Sequence, residues 1–194
     1  YSQIEEIYFP ASLRELKEGW CRFTNKLTKI IISPLNGQFV FKDDKYLLGK
    51  TDPKSDEFDN LLFVRRDINE ISIPSNIKII SSFAFYNCKN LTKIEIPPNS
   101  NLQTIGSNAF TATKIEEIYF PASLRELKEG WCRFTNKLTK IIISPLNGQF
   151  VFKDDKYLLG KTDPKSDEFD NLLFVRRDIN EISIPSNIKI ISSF

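Results

Sequence analysis

Leu91-Thr92-Lys93-Ile94-Glu95-Ile96-Pro97 carries the pattern on which the chain is built. Aliphatic residues stand at its first, fourth and sixth positions, so its second half alternates with the period of a strand. The proline that follows has no N–H to give to a ladder, and it ends the strand. Three more stretches share the pattern: Ile4-Glu5-Glu6-Ile7-Tyr8-Phe9-Pro10, Leu27-Thr28-Lys29-Ile30-Ile31-Ile32-Ser33-Pro34 and Ile68-Asn69-Glu70-Ile71-Ser72-Ile73-Pro74. A second apolar pair then recurs as Leu13/Leu16, Ile77/Ile80 and Leu102/Ile105. After it comes a small-plus-aromatic pair, Ala84-Phe85 or Ala109-Phe110, replaced in the first unit by Trp20-Cys21.

The openings start at 4, 27, 68 and 91, and the cycle restarts at 115. Unit lengths are therefore 23, 41, 23 and 24 residues, and the long period is 111. That long period is literal: residues 4–83 and 115–194 are the same 80 residues in the same order. Drift would scatter changes over solvent-facing positions, which are cheap to change. An undrifted copy points to recent duplication, copy correction or a synthetic origin. Just before each copy the match breaks, Tyr1-Ser2-Gln3 facing Ala112-Thr113-Lys114, so the chain reads as a window on a longer array. Its units are 4–26, 27–67, 68–90, 91–114, 115–137, 138–178 and a short last one, 179–194. One unit has too little core to fold alone. Stacked units share a continuous core and pair their openings as parallel strands.

The succession Leu-x-x-Ile-x-Ile-Pro, Ile-x-x-Ile, then Ala84-Phe85-Tyr86-Asn87-Cys88 resembles the BspA-like class of leucine-rich repeats, from residue 4 to residue 194. Thr24 and Thr113 depart from it, standing where that family prefers Cys. The resemblance implies one leucine-rich-repeat solenoid over residues 1–194. A parallel sheet would form one face, with short second strands or helical turns behind it. The general preference for right-handed crossovers makes it right-handed. The resemblance also implies a non-enzymatic surface or secreted module, engaged in adhesion or protein recognition through its repeat surface. Its partners would be host, matrix or neighbouring-cell proteins, or further copies of itself. The alternative is a structural spacer or self-assembling array with no external ligand, which the near-perfect repetition suits.

The 41-residue unit exceeds its neighbour of 23 by 18 residues. Phe39-Val40-Phe41 and Tyr46-Leu47-Leu48 flank Lys42-Asp43-Asp44-Lys45, a hairpin turn lacking the Asn-Gly or Asp-Gly of the strongest such turns. Thr51-Asp52-Pro53-Lys54-Ser55-Asp56-Glu57 is a polar loop, and Leu61-Leu62-Phe63-Val64 returns as a strand. Hairpin excursions of this kind also belong to the BspA-like resemblance. The second copy repeats these elements over 150–159 and 172–175, giving two hairpin excursions.

Composition excludes several kinds of chemistry. The 194 residues include no His, which removes Ser-His-Asp and Cys-His nucleophile arrangements, His-ligated zinc and a histidine pH switch. A net charge of +2 is too small to argue for nucleic acid or an anionic membrane. The longest aliphatic run, Ile30-Ile31-Ile32, spans no bilayer, and no basic start precedes an apolar stretch as in a signal peptide. Cys21 and Cys132 are copies of each other, four strand spacings of about 4.8 Å apart, beyond the reach of a disulfide. Cys88 sits elsewhere in its unit, so the three read as free buried thiols. Asp52, Asp56, Glu57 and Asp59 lack the spacing of a calcium loop and are interrupted by Lys54; a solvated loop is the better account. No metal, cofactor or catalytic group is expected. Asn90-Leu91-Thr92 is the only Asn-x-Ser/Thr triplet, placed at a packed unit junction.

Aligning the openings puts Glu6, Lys29, Glu70, Lys93, Glu117, Lys140 and Glu181 in one outward column whose signs alternate. Opposite charges on adjacent strands contribute about 0.2–1 kcal/mol per pair, so the column is a register device. The next outward column is Tyr8, Ile31, Ser72, Glu95, Tyr119, Ile142 and Ser183. Tyr8/Ile31, Tyr119/Ile142 and Glu95 form the candidate ligand face. The same aromatic–aliphatic pairs would also serve as sheet-stabilising neighbours.

Overall fold

The structure, a computed structural model, describes residues 3–193. Tyr1 and Ser2, where the internal match breaks, lie outside the described residues, as does Phe194 at the end of the second copy. The first two openings form β1 (Glu6–Phe9) and β2 (Lys29–Ile32). The long unit adds β3 (Phe39–Lys42), β4 (Tyr46–Gly49) and β5 (Asn60–Val64). The third opening is β6 (Glu70–Ser72), backed by β7 (Ile79–Ile80), and the fourth is β8 (Lys93–Glu95), backed by β9 (Thr104–Ile105). The second copy contributes β10 (Glu117–Phe120), β11 (Glu126–Leu127) and β12 (Lys140–Ile143). It continues with β13 (Phe150–Lys153), β14 (Tyr157–Gly160), β15 (Asn171–Val175) and β16 (Ile190–Ile191). Short second strands and turns stand behind the front strands, with no helix among the described residues.

The front openings pair in parallel as β1–β2, β6–β8 and β10–β12. They do not form one unbroken column of seven. Between β2 and β6 the long unit intervenes, and β3 packs against β2 without joining its sheet. β8 and β10 start together, Lys114 N donating to Leu91 O at 2.9 Å, but belong to separate sheets. Glu181 lies outside any strand.

The hairpins are woven into the back of the stack. One six-stranded sheet runs β11-β9-β7-β5-β4-β3, in which β5 joins β7 in parallel and β4 in antiparallel sense. A four-stranded sheet, β13-β14-β15-β16, repeats the arrangement in the second copy. Thus the extra residues of the long unit supply a rung of the ladder and its antiparallel flank. Asn36 anchors their start: its Nδ2 donates to Pro10 O (2.8 Å) and Leu13 O (3.0 Å), and its Oδ1 accepts from Gln38 N (2.9 Å) and Phe39 N (3.3 Å). Both donors and both acceptor positions of the amide are used. Asn147 repeats the clamp.

Inside, one aromatic per unit builds a spine. Phe85 stacks on Phe110 at 4.8 Å between centroids, and Trp131 meets Phe110 edge-on at 6.4 Å. Trp131, standing where other units have Ala and followed by Cys132 in place of Phe, also touches Phe120 and Phe174. Such pairs contribute about 0.5–1.5 kcal/mol beyond area burial. Gly106 is required by the backbone crossing beside it: a Cβ there would lie 2.4 Å from Ser82 N.

Candidate functional site

Register decides which predicted residues meet. In β1–β2, Glu6 faces Lys29 and Tyr8 faces Ile31; in β10–β12, Glu117 faces Lys140 and Tyr119 faces Ile142. Both charged pairs close, Lys29 Nζ to Glu6 Oε2 at 2.6 Å and Lys140 Nζ to Glu117 Oε2 at 2.5 Å. Glu70 faces Lys93 in β6–β8 without an ion pair between them; one position on, Ser72 Oγ donates to Glu95 Oε2 at 3.1 Å. Tyr8 is 61% exposed and Ile31 37%, whereas Tyr119 is half-buried against the core.

Glu95 and Tyr119 line one cleft of about 480 Å³, together with Lys93, Glu116 and Glu117, where β8 and β10 part. A smaller cavity of about 210 Å³ shares Lys93 and Glu95 and adds Lys45, Glu70 and Ser72. A third of about 380 Å³ shares Lys45 and Glu70 and extends to Asp43, Asp44, Arg65 and Asp67. Shared lining residues thus link three neighbouring cavities in succession, from the hairpin tip to Tyr119. Tyr8 and Ile31 line none of these three cavities; the hairpin unit stands between β2 and β6.

The hairpin tip at Lys42-Asp43-Asp44-Lys45 lines one end of these cavities. Asp43 and Asp44 both take positive φ, 54° and 51°. Aspartate tolerates this region better than most residues, though less well than glycine. Two contacts hold the turn. Tyr46 Oη donates to Asp43 Oδ2 at 2.9 Å; burial first, then Asp43, pushes this phenol up to about 12, so it stays a donor. Arg65 Nη1 meets Asp44 Oδ2 at 2.6 Å while its other nitrogens grip Asp67. Asp67 in turn lies below the usual carboxylate range because of that guanidinium. Asp154, Asp155, Tyr157, Arg176 and Asp178 repeat the set.

One other sequence reading changes, and one is extended. Asp59, grouped with the solvated loop, is 1% exposed: it accepts from Thr51 N (2.8 Å) and Thr51 Oγ1 (2.7 Å) and pairs with Lys78 Nζ at 2.9 Å. Burial pushes it up, yet Thr51 and Lys78 outweigh that and leave it lowered. It therefore pins the polar loop to the next unit. Cys21 and Cys88 are buried and free, as is Cys132. The first two flank one buried guanidinium: Arg66 Nη2 lies 3.3 Å from Cys21 Sγ, and Nη1 lies 3.8 Å from Cys88 Sγ. Burial raises all three thiols, Cys132 to about 12, against the pull of the nearby arginine, so they pack as neutral groups. Sequence offered no sign of this cluster, because its members lie 45 and 22 residues apart. Among the described residues no group of three or more His, Cys, Asp or Glu is placed to hold a metal ion, and no helix is long and apolar enough to cross a membrane.

No curated protein sequence matches the chain. Solved structures do. A leucine-rich repeat protein from Eubacterium ventriosum superposes with a TM-score of 0.60 at 23% identity, over 72% of this chain and 36% of that one. The pneumococcal vaccine antigen PcpA gives 0.60 at 18% identity, over 97% of this chain and 41% of its own. A leucine rich cell surface protein from Faecalibacterium prausnitzii gives 0.56 at 16% identity, over 95% and 50% respectively. The chain thus spans half or less of the length of each structure it resembles. These likenesses bear on the fold. The family follows from sequence, since the BspA type leucine rich repeat region, in six copies, matches residues 56–159, more than half of the chain. With the parallel repeat ladder and the Ala-Phe turns already located, the chain belongs to the BspA-type leucine-rich-repeat family.

Proposed function

We propose that this repeat binding module recognises proteins through its strand face, as a non-enzymatic adhesion or recognition segment displayed at a cell surface or secreted. The observation that carries the reading is the run of neighbouring cavities from the hairpin tip through Glu70, Lys93 and Glu95 to Tyr119. It presents charged rims beside an aromatic ring, the mixture that protein-binding surfaces use. Tyr8 and Ile31 offer a second, isolated apolar contact. Solenoids suit large partners because their binding surface is long and extended. Resemblance in fold to proteins described as a cell surface protein and a vaccine antigen supports display outside the cell. A spacer role is favoured by one different observation, the exact repetition of 80 residues, which supplies length without diversifying the face.

An affinity screen against extracellular-matrix and cell-surface proteins separates the two. A ligand of the strand face should lose about tenfold or more in affinity when Tyr8 and Tyr119 are both changed to Ser, because truncating a buried aromatic anchor costs on the order of 2 kcal/mol. Binding that survives this double change but fails in Asp43→Asn/Asp44→Gly would relocate the site to the hairpin tip. No ligand in the screen would favour the spacer.

A further inference from the structure

The cleft between β8 and β10 follows from a return that is one residue short, a shortage visible only when units are compared. Five residues lead from Phe85 to the opening at Leu91, and five from Cys132 to the opening at Leu138. Only four, Thr111-Ala112-Thr113-Lys114, lead from Phe110 to the opening at Ile115. Elsewhere the second and third residues of an opening donate to the second residue of the opening before. Thr92 N and Lys93 N donate to Asn69 O at 2.9 and 3.4 Å, and Thr139 N and Lys140 N to Glu116 O at 3.1 and 3.2 Å. The short return moves this contact back to Lys114 N and Leu91 O, and Thr92 O has no backbone donor among the described residues. Farther along, Ile73 N donates to Glu95 O at 2.8 Å, whereas the matching Ile96 N has no backbone acceptor among the described residues. The walls of the cleft are therefore two strand edges held apart.

What these walls carry limits what can enter. Glu95 and Tyr119 hold the same outward position in their openings, and both line the cleft. Glu95 Oε2 accepts from Ser72 Oγ, and its Oε1 has no partner among the described residues. Glu116 and Glu117 add two carboxylates, the second closed on Lys140, against Lys93 as the one cation in the lining. Ile94, Ile96 and Ile118, all buried, supply an apolar floor. At about 480 Å³ the cleft falls within the size of small-ligand sites. A ring, a carboxylate with a free oxygen and an excess of negative charge suit a guanidinium. It is planar and weakly hydrated, stacks on aromatic faces and gives its N–H groups to carboxylates. An ammonium is more strongly hydrated and lacks the flat face, and an anion would meet like charge. We propose that this cleft receives an arginine side chain of the partner, stacked on Tyr119 and bonded to Glu95, an inference that rests on the protein-recognition reading given above.

The test titrates the full chain with the blocked peptide acetyl-Gly-Arg-Gly-amide and follows backbone amide signals by NMR. Saturable shifts should concentrate at Ile96, Glu117 and Tyr119. The matching peptide with lysine in place of arginine should bind about threefold or more weakly. Glu95→Gln and Tyr119→Leu should each weaken the arginine peptide by about three- to tenfold. One Asn inserted between Thr113 and Lys114 restores the five-residue return, so β10 should pair with β8 and the saturable shifts should vanish. The two point variants keep the test decisive where the insertion does not fold. Shifts that never saturate, equal binding of the lysine peptide, or binding unchanged in both point variants would overturn the proposal. None of these results touches the broader reading, which the affinity screen decides: a strand-face ligand that tolerates loss of its arginines would sink this inference alone.

Discussion

Residues 68–82 and 179–193 have the same sequence and different structures. The first segment forms β6 and β7, with Ile73, Ile77 and Ile80 sealed in the core. The second keeps only β16, and its front opening forms no strand among the described residues. At the other end the copies reverse roles: Ile7 and Leu13 are half-buried, while Ile118 and Leu124 are 0% exposed. Local propensity is identical within each comparison and so explains none of the difference. What differs is whether a neighbouring unit lies on each side, the nearest-neighbour term of solenoid stability.

The largest way to break this comparison is to truncate twin residues. Ile80→Ala should cost about 2–5 kcal/mol, the range for a buried large-to-small change. Ile191→Ala should stay within about 0.5 kcal/mol, as exposed substitutions do. Urea titrations of the two variants would check it, and equal losses would show that stability is local to each unit. A second test uses Asp59 and Asp170, which repeat the same staple in the covered and the open unit. Asp170 is lowered to about 2, first by the Thr162 N–H, then by Lys189 and the Thr162 hydroxyl; Asp59 is also lowered. A carboxylate held below its unfolded value of about 3.9 contributes fully above that pH and loses the contribution as pH falls through its folded value. Stability should therefore decline between about pH 4 and 2, and less steeply in Asp59→Asn and Asp170→Asn. An unchanged acid limb in both variants would remove the staple from the account.

The smallest effect sharpens the front-face comparison. Lys29→Glu and Lys140→Glu each break a closed but exposed ion pair, whose loss and replacement by repulsion should cost about 1 kcal/mol or less at low salt. Lys93→Glu, with no ion pair to break, should cost less. Thermal melts at low and high salt would show both differences shrinking with ionic strength. Lys93 mattering most would mean that β6–β8 carries the register.

Much of the fold was legible because its signals are local and repeated. Aliphatic spacing in Leu91–Pro97 announces a strand, proline its end, and the 111-residue period the stack. The Glu6/Lys29 and Glu117/Lys140 facings also followed from aligning openings. The run of cavities was not legible in the same way. It depends on the hairpin tip approaching β6 and on β8 parting from β10, and neither distance is encoded in a window of a few residues. Arg66 between Cys21 and Cys88 escaped for the same reason: three residues from three units meet only after stacking.

By itself, the sequence determined the repeat, the strand positions and the absence of any imidazole chemistry, since period and composition are properties of the chain before it folds. Only the tertiary structure decided that the front column divides into three pairs, that β5 becomes a rung of the back ladder, and that Asp59 is buried instead of solvated. It also decided which of two identical segments is sealed and which is open. Burial and strand pairing belong to a residue together with its neighbours in space, so the same side chains give a core in one place and an edge in the other.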